Sequence, residues 1–431
     1  MGSFHLIGIK GSGMSALAQV LFDLNNNVQG EDTESFLFTQ SALESRNIPL
    51  YSFEDAPLSP IMTVIASNAF DENHPSIVRC KEMGIPVHRY HHFLGELIKK
   101  YTSIAVTGSH GKTTTTGMLV HAFIDEKQPC ISLIGDGTGN GHPHANQFIF
   151  ESCEYKRHFL AYQPDIAVIT NIDYDHPDYF SDIEDVRNAF EQMTSLTTKH
   201  VIACGDDHQV RLLNINTNTL YYGFGMNNKL RASDLTVENN ATFFDVFYNN
   251  TKIDRFSIPS FGRHNVLNSL ATIGVALVVD RDLKTIKTQL ATFSGVKRRF
   301  TEKVWGNNVV IDDYAHHPSE IRATLEAARS KYPGKRVVGI FQPHTFSRLE
   351  RLMDDFAHSL KGADEIFLCP IFGSAREAVG NVSIGDLKKR IPNAQLLSDN
   401  ITSDLSSYSD SILIFMGAGD IQKYQEQLLQ P

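Results

Sequence analysis

The chain has 431 residues, of which 42% are hydrophobic and 20% are charged, and its formal net charge at pH 7 is −10. This length suits about three domains, and the composition is that of a folded globular protein. The negative charge, without a clustered basic segment, argues against nucleic acid and anionic membranes as partners. No apolar run approaches the roughly 18 residues of a membrane-spanning helix, so no membrane insertion is expected. The 5 cysteines form no C-x-x-C pair, which indicates neither disulfides nor a zinc site and favours a cytoplasmic location.

The N-terminal segment begins with a βαβ pattern. An apolar strand leads into a Gly-rich turn and a helix, and a second short strand ends at Asp32. Further strand-like runs occupy residues 62–67 and 85–88, with a helical stretch between them. Because alternating strands and helices are typical of a parallel sheet, residues 1–98 are predicted to form a Rossmann-like domain.

The same strand–loop–helix pattern restarts twice along the chain. A strand over residues 103–108 precedes a second Gly-rich loop and a helix, and it opens a central domain of the P-loop ATPase type, residues 99–293. After a linker, apolar strands at 309–314 and 336–344 indicate a C-terminal Rossmann-like domain, residues 294–431. The sequence therefore predicts an α/β protein of three domains.

The segment TGSHGKTTTT, residues 107–116, is the most specific local signal. Its glycines let backbone N–H groups face an anion, Lys112 can reach the outer phosphates of a nucleotide, and Thr113 can ligate Mg²⁺. The Walker pattern needs glycine where this chain has Val106, so the match is to a shorter variant. A simple helix-capping turn would explain the glycines but not the Gly-Lys-Thr-Thr run.

A second Gly-rich loop, G-I-K-G-S-G-M-S at residues 8–15, lies near the N-terminus. Its glycine spacing is not the G-x-G-x-x-G of nicotinamide binders, although Asp32 follows at the place of a ribose-binding acid. A tight turn and a diphosphate site explain this loop equally well.

Seven segments in order resemble the Mur ligase family, and the resemblance covers nearly the entire chain. They are G-I-K-G-S-G-M-S (8–15), T-G-S-H-G-K-T-T-T-T (107–116), T-N-I-D-Y-D-H (170–176), G-R-H-N-V-L-N (262–268), G-V-K-R-R-F (295–300), D-D-Y-A-H-H-P (312–318) and F-Q-P-H-T-F-S-R (341–348). His110 and the D-D-Y-A-H-H-P segment resemble the branch that adds L-alanine to UDP-N-acetylmuramate. This resemblance implies an enzyme of peptidoglycan precursor synthesis that uses ATP and Mg²⁺. The sequence leaves open whether the enzyme is a monomer or a homodimer.

The implied reaction has two steps. The muramate carboxylate attacks the γ-phosphate of ATP to give an acyl phosphate, and the amine of alanine then displaces phosphate to form an amide. Because the carboxylate and the triphosphate repel each other, the family's chemistry depends on cations such as Mg²⁺ and Lys112. The three domains would then bind the UDP-sugar, ATP and the amino acid, in chain order.

The resemblance also implies a role for individual residues. Nucleotide contacts are expected from Gly108, Ser109, His110, Gly111, Lys112, Thr113, Thr114, His264, Asn265, Asn268, Arg299 (or its neighbour Arg298) and Asp313. UDP-sugar contacts are expected from Gly11, Ser12, Gly13, Met14, Ser15 and Asp32. The expected metal ligands are Thr113, Glu151 and His176, the expected alanine site is Tyr314, His316 and Arg348, and the expected catalytic set is Lys112, Glu151, His176, His316 and Arg348. The plain alternative for Asn265 is capping of a helix.

The chain departs from the family pattern at three places. Glu191 occupies the region of a carbamylated lysine found in many relatives, either as its substitute or as an exposed helical acid. The segment E-S-C-E-Y-K, residues 151–156, replaces E-A-D-E-S-D and loses both aspartates, which puts the sugar contacts of this loop in doubt. Thr345 replaces a second arginine, so Arg348, or Arg376 as well, must supply its charge.

Three other functions are consistent with parts of this sequence pattern. A ligase that attaches a pre-made tripeptide to UDP-N-acetylmuramate would share every nucleotide motif. A nicotinamide-dependent oxidoreductase would use the N-terminal βαβ unit and give Lys112 no role. A non-catalytic sensor would bind ATP and the UDP-sugar but release no phosphate.

Overall fold

The computed structural model describes residues 2–124, 128–373, 377, 379–398 and 400–429. These residues form three β-sheets in chain order, each packed against helices, which confirms the predicted three-domain α/β architecture. The predicted domain limits, after residues 98 and 293, fall between the last strand of one sheet and the first strand of the next. No helix in these ranges is both long and apolar enough to cross a membrane.

The elements are as follows. The strands are β1 Ser3–Ile7, β2 Asn27–Asp32, β3 Leu50–Ser52, β4 Thr63–Ala66, β5 Val87–Arg89, β6 Thr102–Thr107, β7 Cys130–Leu133, β8 Gly139–Asn140, β9 Gln147–Glu151, β10 Ile166–Ile169, β11 His200–Cys204, β12 Asn218–Gly223, β13 Leu230–Glu238, β14 Ala241–Tyr248, β15 Thr251–Ile258, β16 Thr301–Trp305, β17 Asn308–Asp313, β18 Arg336–Phe341, β19 Glu365–Leu368, β20 Gln395–Leu396 and β21 Ser411–Met416. The helices are α1 Ser12–Asp23, α2 Gln40–Glu44, α3 Pro75–Glu82, α4 Tyr90–Ile98, α5 Lys112–Ala122, α6 Ile183–Leu196, α7 His208–Arg211, α8 Arg263–Val278, α9 Leu283–Leu290, α10 Pro318–Lys331, α11 Phe346–Arg351, α12 Met353–Leu360, α13 Ile384–Arg390, α14 Ile401–Leu405 and α15 Gln422–Leu429, with a 3₁₀ helix at Tyr155–Ala161.

The first sheet is parallel and has the strand order β3-β2-β1-β4-β5. This is the Rossmann-like order, in which a ligand site lies beyond the carboxyl ends of the central strands. The N-terminal Gly-rich loop connects β1 to α1 at that edge. Buried apolar residues of β1 and α1, such as Leu6 and Leu17, fix this loop to the core.

The second sheet has ten strands, in the order β15-β14-β13-β12-β11-β10-β6-β9-β7-β8. Strands β11, β10, β6, β9 and β7 are parallel neighbours and form the predicted nucleotide-binding core. Strands β13, β14 and β15 form an antiparallel extension that the sequence analysis did not predict. Its two turns are Asn-Asn pairs, residues 239–240 and 249–250, with positive φ at every asparagine. Because such pairs favour tight hairpin turns, they were an available sequence signal.

The third sheet has the order β16-β17-β21-β18-β19-β20. All neighbouring pairs are parallel except β16 with β17, which form an antiparallel hairpin at one edge. Asp313 is the last residue of β17, and α10 follows after four residues. The D-D-Y-A-H-H-P segment therefore lies at the carboxyl edge of this sheet, where α/β proteins hold their ligands.

A buried amide joins the first sheet's helix to the second sheet. Gln19 on α1 is 1% exposed, and its Nε2 donates to the carbonyl of Gly137 at 2.7 Å. Its Oε1 accepts from Arg46 Nη1 at 3.1 Å and from the backbone of Gly139 at 3.3 Å. Burying this amide is favourable only because its donor and acceptor are both paired.

We predict that Gln19→Leu lowers the free energy of unfolding by about 2 kcal/mol, because it leaves the Gly137 carbonyl and the Gly139 N–H buried without partners. Urea unfolding would measure this loss. The matched control is Gln192→Leu on the exposed side of α6, which should change stability by less than about 0.5 kcal/mol. Equal stability of the two variants would contradict a role for the buried amide.

Candidate active site

The phosphate-loop segment connects β6 to α5 as predicted. Gly108 has a φ of 136°, and a Cβ there would lie 2.0 Å from Thr170 Oγ1. Gly111 has a φ of 77°, and its Cβ would lie 3.1 Å from Asn268 Oδ1. No side chain caps the first turn of α5, so its backbone N–H groups remain available to an anion. The glycines are thus required by close packing against two neighbouring motifs.

Lys112 is held in a buried ion pair. Its Nζ donates to Glu154 Oε2 at 2.9 Å and to the carbonyls of Gly108 and Ser109 at 2.6 and 3.1 Å. Burial by itself would lower the pKa of Lys112, but the adjacent Glu154 carboxylate raises it above its ordinary value, so the ammonium stays charged. Glu154 is 1% exposed and was not among the predicted site residues, although it ends the E-S-C-E match.

Two of the predicted metal ligands lie side by side. Thr113 Oγ1 donates to Glu151 Oε2 at 2.7 Å, and the backbone N–H of Gly135 donates to the same oxygen at 3.1 Å. A hydroxyl and a carboxylate at the first turn of a phosphate-binding helix are the hard oxygen ligands that Mg²⁺ prefers. The residues at this position therefore fit a magnesium ion bound to a nucleotide.

The third predicted metal ligand, His176, contacts different residues from Thr113 and Glu151. Its φ is 57°, a left-handed conformation, and its Nε2 lies 3.7 Å from Glu154 Oε1. Within the described ranges, His176 forms a potential metal-ligand group with Cys153 and Glu154. Glu191 on α6 does not belong to this group, and its role as a substitute for a carbamylated lysine stays a prediction.

A cavity of about 660 Å³ lies between the phosphate loop, the start of α8 and the third sheet's α10. The predicted nucleotide-binding residues that line it are His110, Gly111, Thr114, His264, Asn265, Asn268, Arg299 and Asp313. Gly108, Ser109, Lys112 and Thr113 belong to the same loop and helix but are not among its lining residues. Four further lining residues were not predicted: Phe261, Glu302, Glu320 and Lys331. The first three lie within two residues of a matched motif, whereas Lys331 is distant from every motif and had no such signal.

The start of α8 forms one wall of this cavity. Gly262 is the N-cap residue, and no side chain caps this helix, so the capping alternative for Asn265 is wrong. Asn265 Nδ2 instead donates to the carbonyl of Phe261 at 2.8 Å, and Asn268 Nδ2 donates to Asn265 Oδ1 at 3.4 Å. Burial, followed by the charge of Arg299, lowers the pKa of His264 to about 4. The wall therefore presents neutral polar groups.

The two linker arginines have different positions. Arg299 lines the cavity and donates to Glu320 Oε1 at 3.3 Å. Arg298 turns away and donates to the carbonyl of Gly417 at 3.0 Å, so Arg299 is the one available to a nucleotide. Both guanidinium groups lie about 5 Å from the ring of Tyr314, at 4.9 Å for Arg298 and 5.1 Å for Arg299. The ring thereby orients the linker.

Asp313 holds the backbone beside the cavity. Its carboxylate accepts from the N–H groups of Phe300 at 2.9 Å and Ala315 at 2.8 Å. Burial raises the pKa of Asp313 to about 6, although Arg299 opposes this shift. Both oxygens are already bonded to the backbone, and each retains a further acceptor lone pair for a ligand hydroxyl.

Glu320 contacts groups from two domains and was not among the predicted site residues. Besides Arg299, it accepts from the backbone N–H groups of His316 at 3.0 Å and His317 at 3.3 Å. His110 of the phosphate loop lies 3.7 Å from Glu320 and 3.1 Å from Asp173. Burial alone would lower the pKa of His110, but these two carboxylates raise it to about 10. The phosphate loop thus carries a second cation.

Two further contacts join the second and third domains. Ser319 Oγ donates to Asp173 Oδ2 at 2.7 Å. Arg348, 5% exposed, donates to Asp175 Oδ1 from Nε at 3.0 Å and from Nη2 at 2.8 Å. The guanidinium predicted to bind the carboxylate of alanine therefore binds a carboxylate of the protein in this structure. Arg376, its predicted helper, lies outside the described residues.

The N-terminal loop lies at α1, whose N-cap residue, Gly11, makes no side-chain capping bond. The predicted sugar-binding residues Met14 and Ser15 have buried side chains, and the Ser15 N–H already donates to the carbonyl of Gly11 at 2.7 Å. The carboxylate of Asp32 accepts from the N–H groups of Lys10 at 2.7 Å and Thr33 at 2.8 Å. Asp32 therefore fastens the turn, and its binding of a ribose stays a prediction.

The fold and the site define a nucleotide-dependent enzyme with three α/β domains. Residues 3–102 match the Mur ligase family, catalytic domain, residues 106–276 match the Mur ligase middle domain, and residues 298–419 match the Mur ligase, glutamate ligase domain. The chain belongs to the Mur ligase family, whose members are ATP-dependent ligases of peptidoglycan precursor synthesis.

Solved structures extend this relationship over the full length. The chain is 27% identical to the UDP-N-acetylmuramate-alanine ligase MurC of Thermotoga maritima, with a TM-score of 0.83, covering 100% of this chain and 98% of that one. It is 22% identical to a murein peptide ligase of Psychrobacter arcticus, with a TM-score of 0.74 and coverage of 100% and 98%. It shares the fold of Thermotoga maritima MurF in complex with ADP, at 17% identity, a TM-score of 0.64 and coverage of 93% and 94%.

We predict a pH-dependent contribution of His317, the N-cap of α10. Burial and the charge of His110 lower its pKa from 6.5 to about 4, so its stabilising contribution is complete above pH 6.5 and is lost as the pH falls towards 4. The variant His317→Asn keeps a capping side chain without this titration. Between pH 7 and pH 5 the wild type should lose about 2 kcal/mol more than the variant in urea unfolding. Parallel losses would contradict a neutral buried His317.

Proposed function

We propose that this protein joins L-alanine to UDP-N-acetylmuramate at the expense of ATP, through an acyl phosphate. The observation that carries the proposal is the cavity between the second and third domains, where the phosphate loop meets Arg299 and Asp313. The full-length similarity to an alanine-adding ligase, at 27% identity, supports this choice of substrates. A cytoplasmic location and a monomeric or homodimeric state stay predictions.

The first step brings two anions together. A muramate carboxylate oxygen attacks the γ-phosphorus of ATP, the bond from that phosphorus to the β,γ-bridging oxygen breaks, and ADP leaves. Lys112 and the His110 imidazolium, both kept charged by carboxylates, lower the repulsion between the reacting groups. Thr113 and Glu151 would hold Mg²⁺, which supplies further positive charge to the phosphate oxygens when bound.

The second step needs an acceptor for the proton of the amine. The amine nitrogen of alanine attacks the acyl carbon, the carbon–oxygen bond breaks, and inorganic phosphate leaves. His316 Nδ1 lies 3.0 Å from the Tyr314 carbonyl and 3.0 Å from Glu320 Oε2, so it is the protonated nitrogen. Its Nε2 can then accept the proton. Arg348 binds the alanine carboxylate once Asp175 releases its guanidinium group.

A tripeptide-adding ligase is the second candidate, because the chain also resembles a murein peptide ligase over its full length. Both reactions use the same nucleotide site and acyl phosphate. They differ in the size of the amine substrate that reaches Tyr314 and His316. The nicotinamide and sensor alternatives lose support, since membership in this family favours ligase chemistry.

We predict that Lys112→Met lowers turnover at least about 1000-fold, because the variant removes a positive charge from the phosphate loop. Phosphate release from ATP with UDP-N-acetylmuramate and L-alanine would measure this effect. Lys112→Arg, which keeps the charge beside Glu154, is the matched variant and should retain more activity. Thermal unfolding of both variants separates lost catalysis from lost folding. Normal turnover of Lys112→Met would refute the mechanism.

The choice between the two ligases rests on the amine substrate. With ATP and UDP-N-acetylmuramate present, we expect L-alanine to give a kcat/KM at least about tenfold above that for glycine or L-serine, and the cell-wall tripeptide to give no product. Mass spectrometry of the UDP-linked product identifies the amine that was added. Faster turnover of the tripeptide than of L-alanine would replace the proposed function with the recycling reaction.

A further inference from the structure

A sulfur, an oxygen and a nitrogen ligand lie together beside the phosphate loop. The Cys153 thiol, the Glu154 carboxylate and the His176 imidazole each place one ligand atom within 4.8 Å of the other two. Cys153 is exposed, His176 is half-buried and Glu154 is buried, so the group is open to solvent on one side. The three residues come from two separate loops, so no short spacing motif such as C-x-x-C indicates this group in the sequence.

The fold explains how the three residues meet. Cys153 and Glu154 follow β9 and His176 follows β10, and both strands lie directly beside β6 in the parallel sheet. The loops at the carboxyl ends of these strands therefore share one edge. The left-handed conformation of His176 turns its ring towards Glu154, and the Tyr155 ring packs against it at 4.6 Å. Tyr155 is fixed in turn by a 2.6 Å hydrogen bond to Asp178.

We propose that Cys153, Glu154 and His176 bind a thiophilic divalent cation, for which Zn²⁺ is the probe. Three protein ligands of sulfur, oxygen and nitrogen type, with one side open, are the donor set of a four-coordinate zinc site that keeps a position for water. Mg²⁺ prefers oxygen ligands alone, so the thiol changes the preference of this position. On binding, the sulfur–metal bond forms as the thiol releases its proton to solvent.

The bound cation would compete with Lys112. Lys112 Nζ lies 2.9 Å from Glu154 Oε2, and His176 Nε2 lies 3.7 Å from Glu154 Oε1, so the cation and the ammonium would share one carboxylate. Their repulsion at this separation favours displacement of Lys112. Inhibition of turnover by Zn²⁺ is the expected consequence, and only this consequence rests on the proposed function.

A second group with metal-ligand atoms is less suited to a cation. His110, Asp173 and His317 also lie within 4.8 Å of one another. However, Asp173 and Glu320 hold His110 in its charged form, in which both ring nitrogens carry protons. Asp173 is already bonded to His110 and to Ser319. The Cys153 group also contains a thiol ligand, which this group lacks.

The test measures binding without ATP or substrates. Co²⁺ added to the full chain should produce thiolate-to-metal charge-transfer absorption, and calorimetry should show one tight Zn²⁺ site. Cys153→Ser should remove the absorption and weaken Zn²⁺ binding at least about 100-fold, because it removes a ligand from an exposed position that tolerates serine. Cys130→Ser, at a half-buried cysteine on β7, is the matched control and should change neither.

Three results would overturn the proposal: no cobalt–thiolate absorption, equal Zn²⁺ affinity of Cys153→Ser and wild type, or loss of the site in His317→Asn instead.

In a separate assay of phosphate release, Zn²⁺ should inhibit the wild type at a concentration at least about tenfold below that for Cys153→Ser. Tight, Cys153-dependent binding by a protein that forms no UDP-linked product would refute the proposed function but leave the metal site standing.

Discussion

The buried ion pair between Lys112 and Glu154 is the constraint on which the remaining site depends. Burial by itself lowers the pKa of Lys112 and the adjacent Glu154 carboxylate raises it, while a carboxylate that is 1% exposed would be costly without a cation. Glu154 therefore keeps Lys112 charged, and Lys112 offsets the cost of burying the Glu154 carboxylate. The pair also fixes the phosphate loop to the loop after β9, which places Thr113 against Glu151. One electrostatic contact thus links the phosphate-loop lysine to the residues predicted to hold the metal.

The same principle operates where the second and third domains meet. Asp173, Asp175 and Glu320 are carboxylates at the junction, and each pairs with a cationic group across it or beside it. A charge that is buried by domain contact must find a partner, so the relative position of the domains and the charge state of the phosphate loop depend on each other. Arg348 illustrates the consequence, because its contact with Asp175 occupies the groups that a substrate carboxylate would use.

The replacement of an aspartate by Cys153 gives this ligase a chemical property that its nucleotide motifs do not reveal. An oxygen-ligand position at Thr113 and Glu151 and a mixed sulfur, oxygen and nitrogen position at Cys153, Glu154 and His176 then lie side by side at one sheet edge. Because ligand softness decides which cation binds, the two positions would respond to different metals. Their common neighbour is Glu154, the partner of Lys112, so the metal content of the medium would act directly on the phosphate-binding lysine.

The sequence by itself determined the features that depend on residues close together along the chain. Strand, Gly-rich loop and helix follow one another within the phosphate loop, so the positions of Lys112 and Thr113 and the three α/β domains could be predicted. The sequence also contains the Asn-Asn pairs that form the turns of the antiparallel extension, although this extension was not predicted from them. Only the tertiary structure decided that Glu320 contacts groups from two domains and that Arg299, not Arg298, faces the cavity. The contact between Arg348 and Asp175 was likewise decided by the tertiary structure. Those contacts join loops that are distant in sequence, because parallel strands bring their carboxyl ends to one edge of the sheet. The spacing of residues along the chain does not indicate which of these loops will be in contact.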